Sequence, residues 1–227
     1  MIKTYKAIIL IILIIFPFNL NAHVQHYENL NQIEFDIYRN NKYIGTHVFS
    51  FEKSIDEISV KSEIEFQIKK FGIVLYKYYA SGVEVYKKGK LIRFNSKTDQ
   101  NGKNKYVNII FENNEYVIDG SSYKGKAPTE YLIGTWWNHN IIKAKAQISA
   151  VSGRIIKQKV KFLGKESIKF GEISYETLHY NFSSTDNKID KKKKLNTDVW
   201  YDEKSLYWVK ASFDKSGKWE YRLKSIK

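Results

Sequence analysis

Apolar and polar side chains alternate with a period of two along most of this chain. In residues 57–69, for example, Ile64, Phe66 and Ile68 alternate with Glu65 and Gln67. Because successive side chains of a strand point to opposite faces, this period indicates strands with one buried face. The pattern predicts strands at residues 32–39, 42–52, 57–69, 73–85, 91–97, 106–111, 116–118, 160–163, 167–170, 173–182, 195–201, 206–213 and 218–223.

Short polar turns separate these predicted strands. Asn40-Asn41, Asn101-Gly102 and Asn113-Asn114 stand between apolar runs, and both residue types tolerate the positive φ that tight hairpins need. Short strands at even spacing are typical of antiparallel proteins. The predicted fold class is all-β, a single curved or barrel-like antiparallel sheet with one short helical insertion.

The insertion is predicted between Pro128 and Ala146, where the alternation stops. Proline is tolerated at the first position of a helix. After it, Tyr131, Trp136 and His139 recur at roughly helical spacing. We expect a short helix or an irregular plug of one to three turns.

The first 22 residues have the pattern of a secretory signal peptide. Lys3 and Lys6 precede an apolar run of about twelve residues, shorter than the roughly 20 that a spanning helix needs. Ala22 is a small residue suited to the end of a leader. The predicted organisation is a signal peptide at residues 1–22 and a single antiparallel β domain at 23–227, in a periplasmic or secreted protein that is not an integral membrane protein once the leader is removed.

The net charge indicates which kinds of partner to expect, and the cysteine content excludes disulfides. The chain has a formal net charge of +14 and no cysteine, so it forms no disulfide. Positive charge favours anionic surfaces such as lipid head groups, although lysines spread along a sheet also keep its edges unpaired and soluble. We expect a lipid or anionic envelope component, or an envelope protein, as partner, and no nucleic acid in that compartment.

Five residues of the insertion form the candidate ligand site: Tyr131, Trp136, Trp137, Asn138 and His139. Indole and phenol rings bury a large area while keeping one polar group available. A plug carrying them would line a cavity inside a curved sheet. The alternative is that the two tryptophans close one end of the core.

Patterns for catalysis and metal binding are weak. There is no Gly-x-Ser-x-Gly motif, and no two histidines have the metal-ligand spacing His-x-x-x-His. His23 and His26 are three residues apart, and we expect them in a frayed terminus rather than at a metal site. His47 is expected at a strand edge. Asp202 and Glu203 would point to opposite faces of a strand, so we expect Asp202 to bind backbone N–H groups in a turn. We predict no catalytic residue, no metal and no cofactor.

The order of several short motifs resembles a known family of secreted bacterial proteins. They are the turn and Ile-Gly-Thr of residues 41–47, Trp137-Asn138, Gln147, Ser152-Gly153, residues 162–168, Trp200-Tyr201-Asp202-Glu203, Val209-Lys210, Gly217 and Tyr221-Arg222-Leu223. Together, over residues 32–223, they resemble the domain of unknown function numbered 6134, and more distantly the one numbered 3108. The resemblance implies a compartment and a fold, not a reaction.

These observations favour a non-enzymatic envelope-associated protein that binds a lipid or another amphipathic anionic ligand. A structural or protein-partner module of the envelope, which accepts a strand at an exposed sheet edge, is the second hypothesis. An envelope hydrolase using His139 with a nearby acid is the third.

Overall fold

The computed structural model describes residues 27, 29–186, 188, 190 and 193–227. The predicted signal peptide, residues 1–22, lies outside this part of the chain. Within the described residues, no helix is long and apolar enough to cross a membrane.

One curved sheet contains all the strands of the described chain. They are β1 (Gln32–Arg39), β2 (Lys42–Lys53), β3 (Glu57–Lys70), β4 (Ile73–Lys87), β5 (Lys90–Gln100), β6 (Lys103–Glu112), β7 (Glu115–Gly120), β8 (Lys124–Pro128), β9 (Leu132–Ile133), β10 (Ala146–Ile148), β11 (Ile155–Phe170), β12 (Ile173–Ser184), β13 (Asn196–Asp202), β14 (Trp208–Asp214) and β15 (Lys218–Ile226). Their order is β8-β7-β6-β5-β4-β3-β2-β1-β15-β14-β13-β12-β11-β10-β9.

This order confirms the predicted fold class. Neighbouring strands are antiparallel, apart from β9 and β10, which run parallel. Strands β8 and β9 form the two edges and do not pair with each other, so the sheet is barrel-like but not closed. The first strand and the last strand meet at its centre, where Phe35 of β1 lies opposite Leu223 of β15.

The concave face of the sheet carries the core. On β1, Ile33, Phe35 and Ile37 are fully buried while the residues between them are half-exposed. The same alternation on β2 buries Phe49 and Phe51. Period-two alternation therefore specifies which face is apolar, as expected when one face of a sheet packs and the other meets water.

The predicted insertion lies inside the curve of the sheet. Residues 129–154, called the inner segment below, contain β9, a 3₁₀ helix at His139–Lys143 and β10. Trp137 packs against Phe51 of β2 and Tyr86 of β4. Its neighbour Trp136 packs against Trp208 of β14. The inner segment thus joins the two halves of the sheet from within.

The start of the insertion differs from the prediction. Pro128 ends the edge strand β8, opposite Glu115, and the helix begins only at His139. An edge strand tolerates proline because one side of its backbone needs no partner. Asn138 caps the 3₁₀ helix, since its side chain accepts a hydrogen bond from the Asn140 N–H at 3.0 Å.

A turn of the inner segment reaches across to the far side of the sheet. The Ser152 carbonyl accepts a hydrogen bond from the Ser122 N–H at 2.9 Å, and the Ser96 hydroxyl donates to the Ala150 carbonyl at 2.6 Å. Gly120 permits this approach, because a Cβ there would lie 2.7 Å from the Ser152 carbonyl oxygen. Contacts of the inner segment, rather than strand pairing, therefore bridge the open side of the sheet.

Candidate functional site

A cavity of about 250 Å³ lies between the sheet and the inner segment. Strands β2 to β5 and β15 form one wall, and residues 134–136, 147 and 149–151 form the other together with Ile156 of β11. It is lined by His47, Ser62, Ile64, Tyr78, Ala80, Ser81, Gly82, Phe94, Ser96, Gly134, Thr135, Trp136, Gln147, Ser149, Ala150, Val151, Ile156 and Tyr221. Its volume exceeds the roughly 150 Å³ that accommodates benzene and is slightly below the ~300 Å³ of a small ligand pocket.

Neutral groups surround this cavity. None of the described residues that line it is a lysine, arginine, aspartate or glutamate. Its one histidine, His47, is buried, and burial lowers the pKa of its imidazole to about 3, so the ring is uncharged at neutral pH. Such a cavity favours an uncharged or apolar part of a ligand, because an isolated charge loses its hydration there.

Two polar atoms of the cavity lining have no hydrogen-bond partner among the residues that the structure describes. His47 shares a hydrogen bond of 2.8 Å between its Nε2 and the Ser62 hydroxyl, but its Nδ1 has no partner. The Trp136 Nε1–H is likewise buried without an acceptor. Buried polar groups of this kind are uncommon and call for an explanation such as a ligand or an ordered water.

The backbone holds Trp136 in an unusual conformation. Its φ is +59°, a region that bulky L-residues seldom adopt. Its ring lies edge-on to Trp208 at 5.7 Å and to Tyr221 at 6.4 Å, and its carbonyl accepts a hydrogen bond from the Tyr201 hydroxyl at 3.0 Å. These contacts fix the indole at the boundary between core and cavity.

Aromatic side chains continue from the cavity toward one end of the sheet. Phe66 stacks on Tyr78 with ring centroids 4.7 Å apart, and it meets Trp219 edge-on at 5.2 Å. Trp219 in turn stacks on Phe213 at 5.8 Å. Apart from Phe66, these rings are half-buried. They form an aromatic surface beside the cavity on the concave side of the sheet.

The five residues predicted as a ligand site are not all in one place. Trp136 lines the cavity. Trp137 is fully buried in the core, Asn138 caps the 3₁₀ helix, and the His139 ring lies edge-on to Tyr201 at 4.8 Å. Tyr131 lines a separate cleft near Lys126 and Lys157. Of the five, Trp136 alone therefore lines the cavity between the sheet and the inner segment.

His47 contributes to the cavity, and the prediction that it lies at a strand edge is wrong. It lies within β2, where it pairs with Phe35 on one side and Ile64 on the other. Its place in the alternation with Phe49 and Phe51 is the sequence signal for an inward-facing residue.

A buried carboxylate fixes the inner segment to the sheet. Glu84 of β4 accepts hydrogen bonds from the Thr135 hydroxyl and the Trp137 Nε1–H, both at 2.8 Å, and from the Tyr86 hydroxyl. Burial raises the pKa of Glu84, and these donors partly offset the rise. In the sequence, Glu84 stands at an inward position of an alternating strand, but nothing there identifies its donors.

A second ionisable cluster lies on the outer face of strands β11 to β13. The His179 ring stacks on Trp200 at 4.1 Å. Its Nδ1 lies 3.0 Å from Glu166 Oε1 and its Nε2 lies 3.4 Å from Asp198 Oδ1. These are contacts between neighbouring strands of one face, which stabilise pairing.

The expected turn at Asp202 is confirmed. Its Oδ1 accepts hydrogen bonds from the Ser205 N–H and the Ser205 hydroxyl, both at 2.7 Å, and from the Lys204 N–H at 3.2 Å. The side chain therefore organises the loop between β13 and β14.

Comparison with protein families gives a match over most of the chain. Residues 35–224 match the model of the family "Domain of unknown function (DUF6134)". The chain belongs to that family. The match confirms the resemblance given by the sequence motifs, whereas the more distant likeness to the domain numbered 3108 stays a prediction. No curated protein matches the chain.

Two solved structures are similar to this DUF6134 domain at low sequence identity. A β-barrel-like protein of domain of unknown function DUF1849 from Brucella abortus has a TM-score of 0.60 and 10% identity, with 87% of this chain and 98% of that chain covered. A candidate exported protein with a YmcC-like fold from Bacteroides fragilis has a TM-score of 0.38 and 11% identity, with 86% and 94% covered. The first of these shows a shared barrel-like fold.

Proposed function

We propose that this protein is a non-enzymatic, exported binding protein that holds part of a lipid or of another amphipathic molecule between its sheet and its inner segment. The cavity beside His47 and Trp136 is the observation that carries the proposal. It combines apolar walls with two polar atoms that lack partners, and ligand sites commonly show this combination.

The size and charge of the cavity limit what it would hold. A volume of about 250 Å³ is too small for a whole phospholipid, so it suits a small amphipathic molecule or one end of an acyl chain. A hydroxyl or carbonyl oxygen of the ligand would accept a hydrogen bond from the Trp136 Nε1–H. A charged head group would remain outside, near the lysines of the surface.

Fluorescence titration with a neutral amphiphile tests this proposal. Trp136 and Trp208 lie at or near the cavity, so filling it should shift tryptophan emission when monodecanoylglycerol is added below its critical micelle concentration. Ala80→Leu places three extra carbon atoms in the cavity lining, and we expect at least a tenfold loss of affinity. Val83→Leu, on the same strand but outside the lining residues, is the matched control and should bind as the wild type does.

Two results would contradict the proposal. One is saturable binding that Ala80→Leu leaves unchanged, because the ligand would then lie elsewhere. The other is no binding by a correctly folded wild-type protein, which would favour the protein-partner module.

A further inference from the structure

The hairpin between β3 and β4 projects beyond the sheet. Pairing of β2 with β3 begins at Gly45 and Phe66, and pairing of β4 with β5 begins at Tyr78 and Gln100. In the sheet ladder, residues 67–77 therefore pair only with one another. We call these residues the projecting ribbon.

The tip of the projecting ribbon is apolar and exposed. Phe71 is 91% exposed, Ile73 66% and Leu75 55%. A set of neighbouring large apolar side chains in water is unfavourable and commonly marks an interaction surface. None of the three belongs to the hydrophobic core of the fold.

Phe71 is an unusual residue for the turn that it occupies. Phe71 and Gly72 have φ of +52° and +80°, the positive values of a two-residue hairpin turn in which asparagine or aspartate is favoured at the first position. Three other tight turns of the described chain follow that preference, with Asn40-Asn41, Asn101-Gly102 and Asn113-Asn114, whereas a fourth has Lys88-Gly89. A bulky residue at positive φ is uncommon, and the turn itself does not favour the exposed phenylalanine.

Positive charge surrounds this apolar tip. The ribbon contains Lys69, Lys70 and Lys77 and no acidic residue. Beside it, where β2 and β3 separate, lies a groove of about 760 Å³. Its basic lining residues are Arg39, Lys42, Lys69 and Lys70, and its single acid is Glu65. The ammonium group of Lys70 lies 5.5 Å from the centre of the Phe71 ring.

We propose that the projecting ribbon docks this protein on the surface of an anionic lipid bilayer. Phe71, Ile73 and Leu75 would enter the boundary between head groups and acyl chains, as the apolar face of an interfacial segment does. The lysines would contact lipid phosphates, an attraction of about 1 kcal/mol for each basic residue near such a surface. Their long side chains reach the phosphates while the tip is inserted.

A bilayer fits this surface better than a protein groove does. The apolar residues stand at the end of a narrow two-stranded ribbon that has lysines on both strands, Lys69 and Lys70 on β3 and Lys77 on β4. The aromatic surface of Phe66, Tyr78 and Trp219 lies at the base of the same ribbon. The end of the sheet that docks would therefore be the end that carries this aromatic surface. Docking does not require that the cavity bind a ligand.

Vesicle co-sedimentation of the purified protein tests the proposal. We expect binding to vesicles of phosphatidylcholine with 30% phosphatidylglycerol, and at least tenfold weaker binding to pure phosphatidylcholine. Lys69→Glu with Lys70→Glu should abolish the preference for anionic vesicles. Phe71→Asn should reduce binding to anionic vesicles at least fivefold. The melting temperature of this variant should be no lower than that of the wild type, because asparagine is favoured in the turn.

The matched control is Ile55→Ser. Ile55 is fully exposed and lies in the turn between β2 and β3, at the opposite end of the sheet from the ribbon tip. Its neighbours Asp56 and Glu57 are acidic. Its replacement should therefore leave vesicle binding unchanged. The proposal is overturned if the wild type does not bind anionic vesicles. It is also overturned if Phe71→Asn binds as well as the wild type, or if Ile55→Ser weakens binding equally.

Discussion

Single residues determine how the inner segment is held and how the cavity is lined. Trp136 was predictable as a cavity-lining residue because the sequence concentrates aromatic side chains in the insertion. The sequence does not distinguish the role of Trp137 from that of Trp136, because both are tryptophans of the same segment. Only the tertiary structure shows that the two indoles point in different directions and that Trp137 donates to Glu84. His47 and Glu84 look in the sequence like ordinary members of alternating strands.

Removal of the Glu84 carboxylate should destabilise the protein strongly. Glu84→Ala would leave the Thr135, Trp137 and Tyr86 donors without an acceptor, and each unsatisfied buried group costs about 1–3 kcal/mol. We expect the free energy of unfolding to fall by about 3 kcal/mol or more, as measured by urea denaturation at pH 7. Glu84→Gln keeps an acceptor oxygen and should cost less; an equal loss in both variants would contradict this role.

Glu84 should also make stability depend on pH. Because burial raises its pKa in the folded state, the folded protein retains the proton more readily than the unfolded chain does. Its contribution is complete below pH 4.5 and is lost as pH rises through the folded pKa. On acidification, the free energy of unfolding of the wild type should therefore rise relative to that of Glu84→Gln. A difference between the two proteins that does not change with pH would contradict the raised pKa.

His47 should have the opposite effect. Its pKa is lowered from 6.5 to about 3, so its contribution to stability is present above pH 6.5 and is lost as pH falls toward 3. Between pH 6.5 and pH 5 the wild type should lose about 2 kcal/mol more than His47→Gln, whose side chain does not titrate. Parallel pH profiles for the two proteins would show that His47 is protonated as easily in the folded state as in the unfolded chain.

At the scale of elements, alternation predicted the strands well and the inner segment poorly. The strand bounds agree within a few residues wherever period two is unbroken, as for residues 32–39. The two strands predicted at 160–163 and 167–170 are one strand, β11, because a register shift at Gly164 interrupts the alternation without ending the pairing. Strands β9 and β10 contain only two and three residues, too few to give a period.

Buried amide groups position the 3₁₀ helix of the inner segment. The Gln158 side-chain amide of β11 donates to the carbonyls of Ile141 and Ala144, both at 3.0 Å, and its oxygen accepts from the Gln147 amide at 2.7 Å. Polar residues of this kind within a strand give no sequence signal for their distant partners.

Substitution of Gln158 should loosen this element. Gln158→Ala leaves the Ala144 carbonyl and the Gln147 amide without this partner, whereas the Ile141 carbonyl still accepts from the Ala144 N–H. We expect a cost of about 2–4 kcal/mol in the free energy of unfolding. In this variant, amide hydrogen exchange should become faster than in the wild type in residues 139–148, and the increase should be smaller in β1 and β15. Gln67→Ala, at a half-buried position outside this network, is the control; unchanged exchange in the Gln158 variant would show that packing alone holds the helix.

At the scale of the whole molecule, the sheet forms an incomplete barrel whose interior is shared between a core and a cavity. The inner segment fills one part, where Trp137 contacts Glu84, and leaves a cavity in the part beside His47 and Trp136. The fold class followed from strand spacing and turn residues. The cavity could not be predicted, because it depends on how residues 134–151 cross the concave face.

The most direct test of the account is native mass spectrometry of the protein purified from its source cells without detergent. The account predicts a species heavier than the polypeptide, from which organic extraction releases an amphipathic molecule, and it predicts that Ala80→Leu purified in the same way lacks that species. A wild-type protein that shows only the mass of the polypeptide, and that takes up no added monodecanoylglycerol, would contradict the claim that the cavity is a binding site.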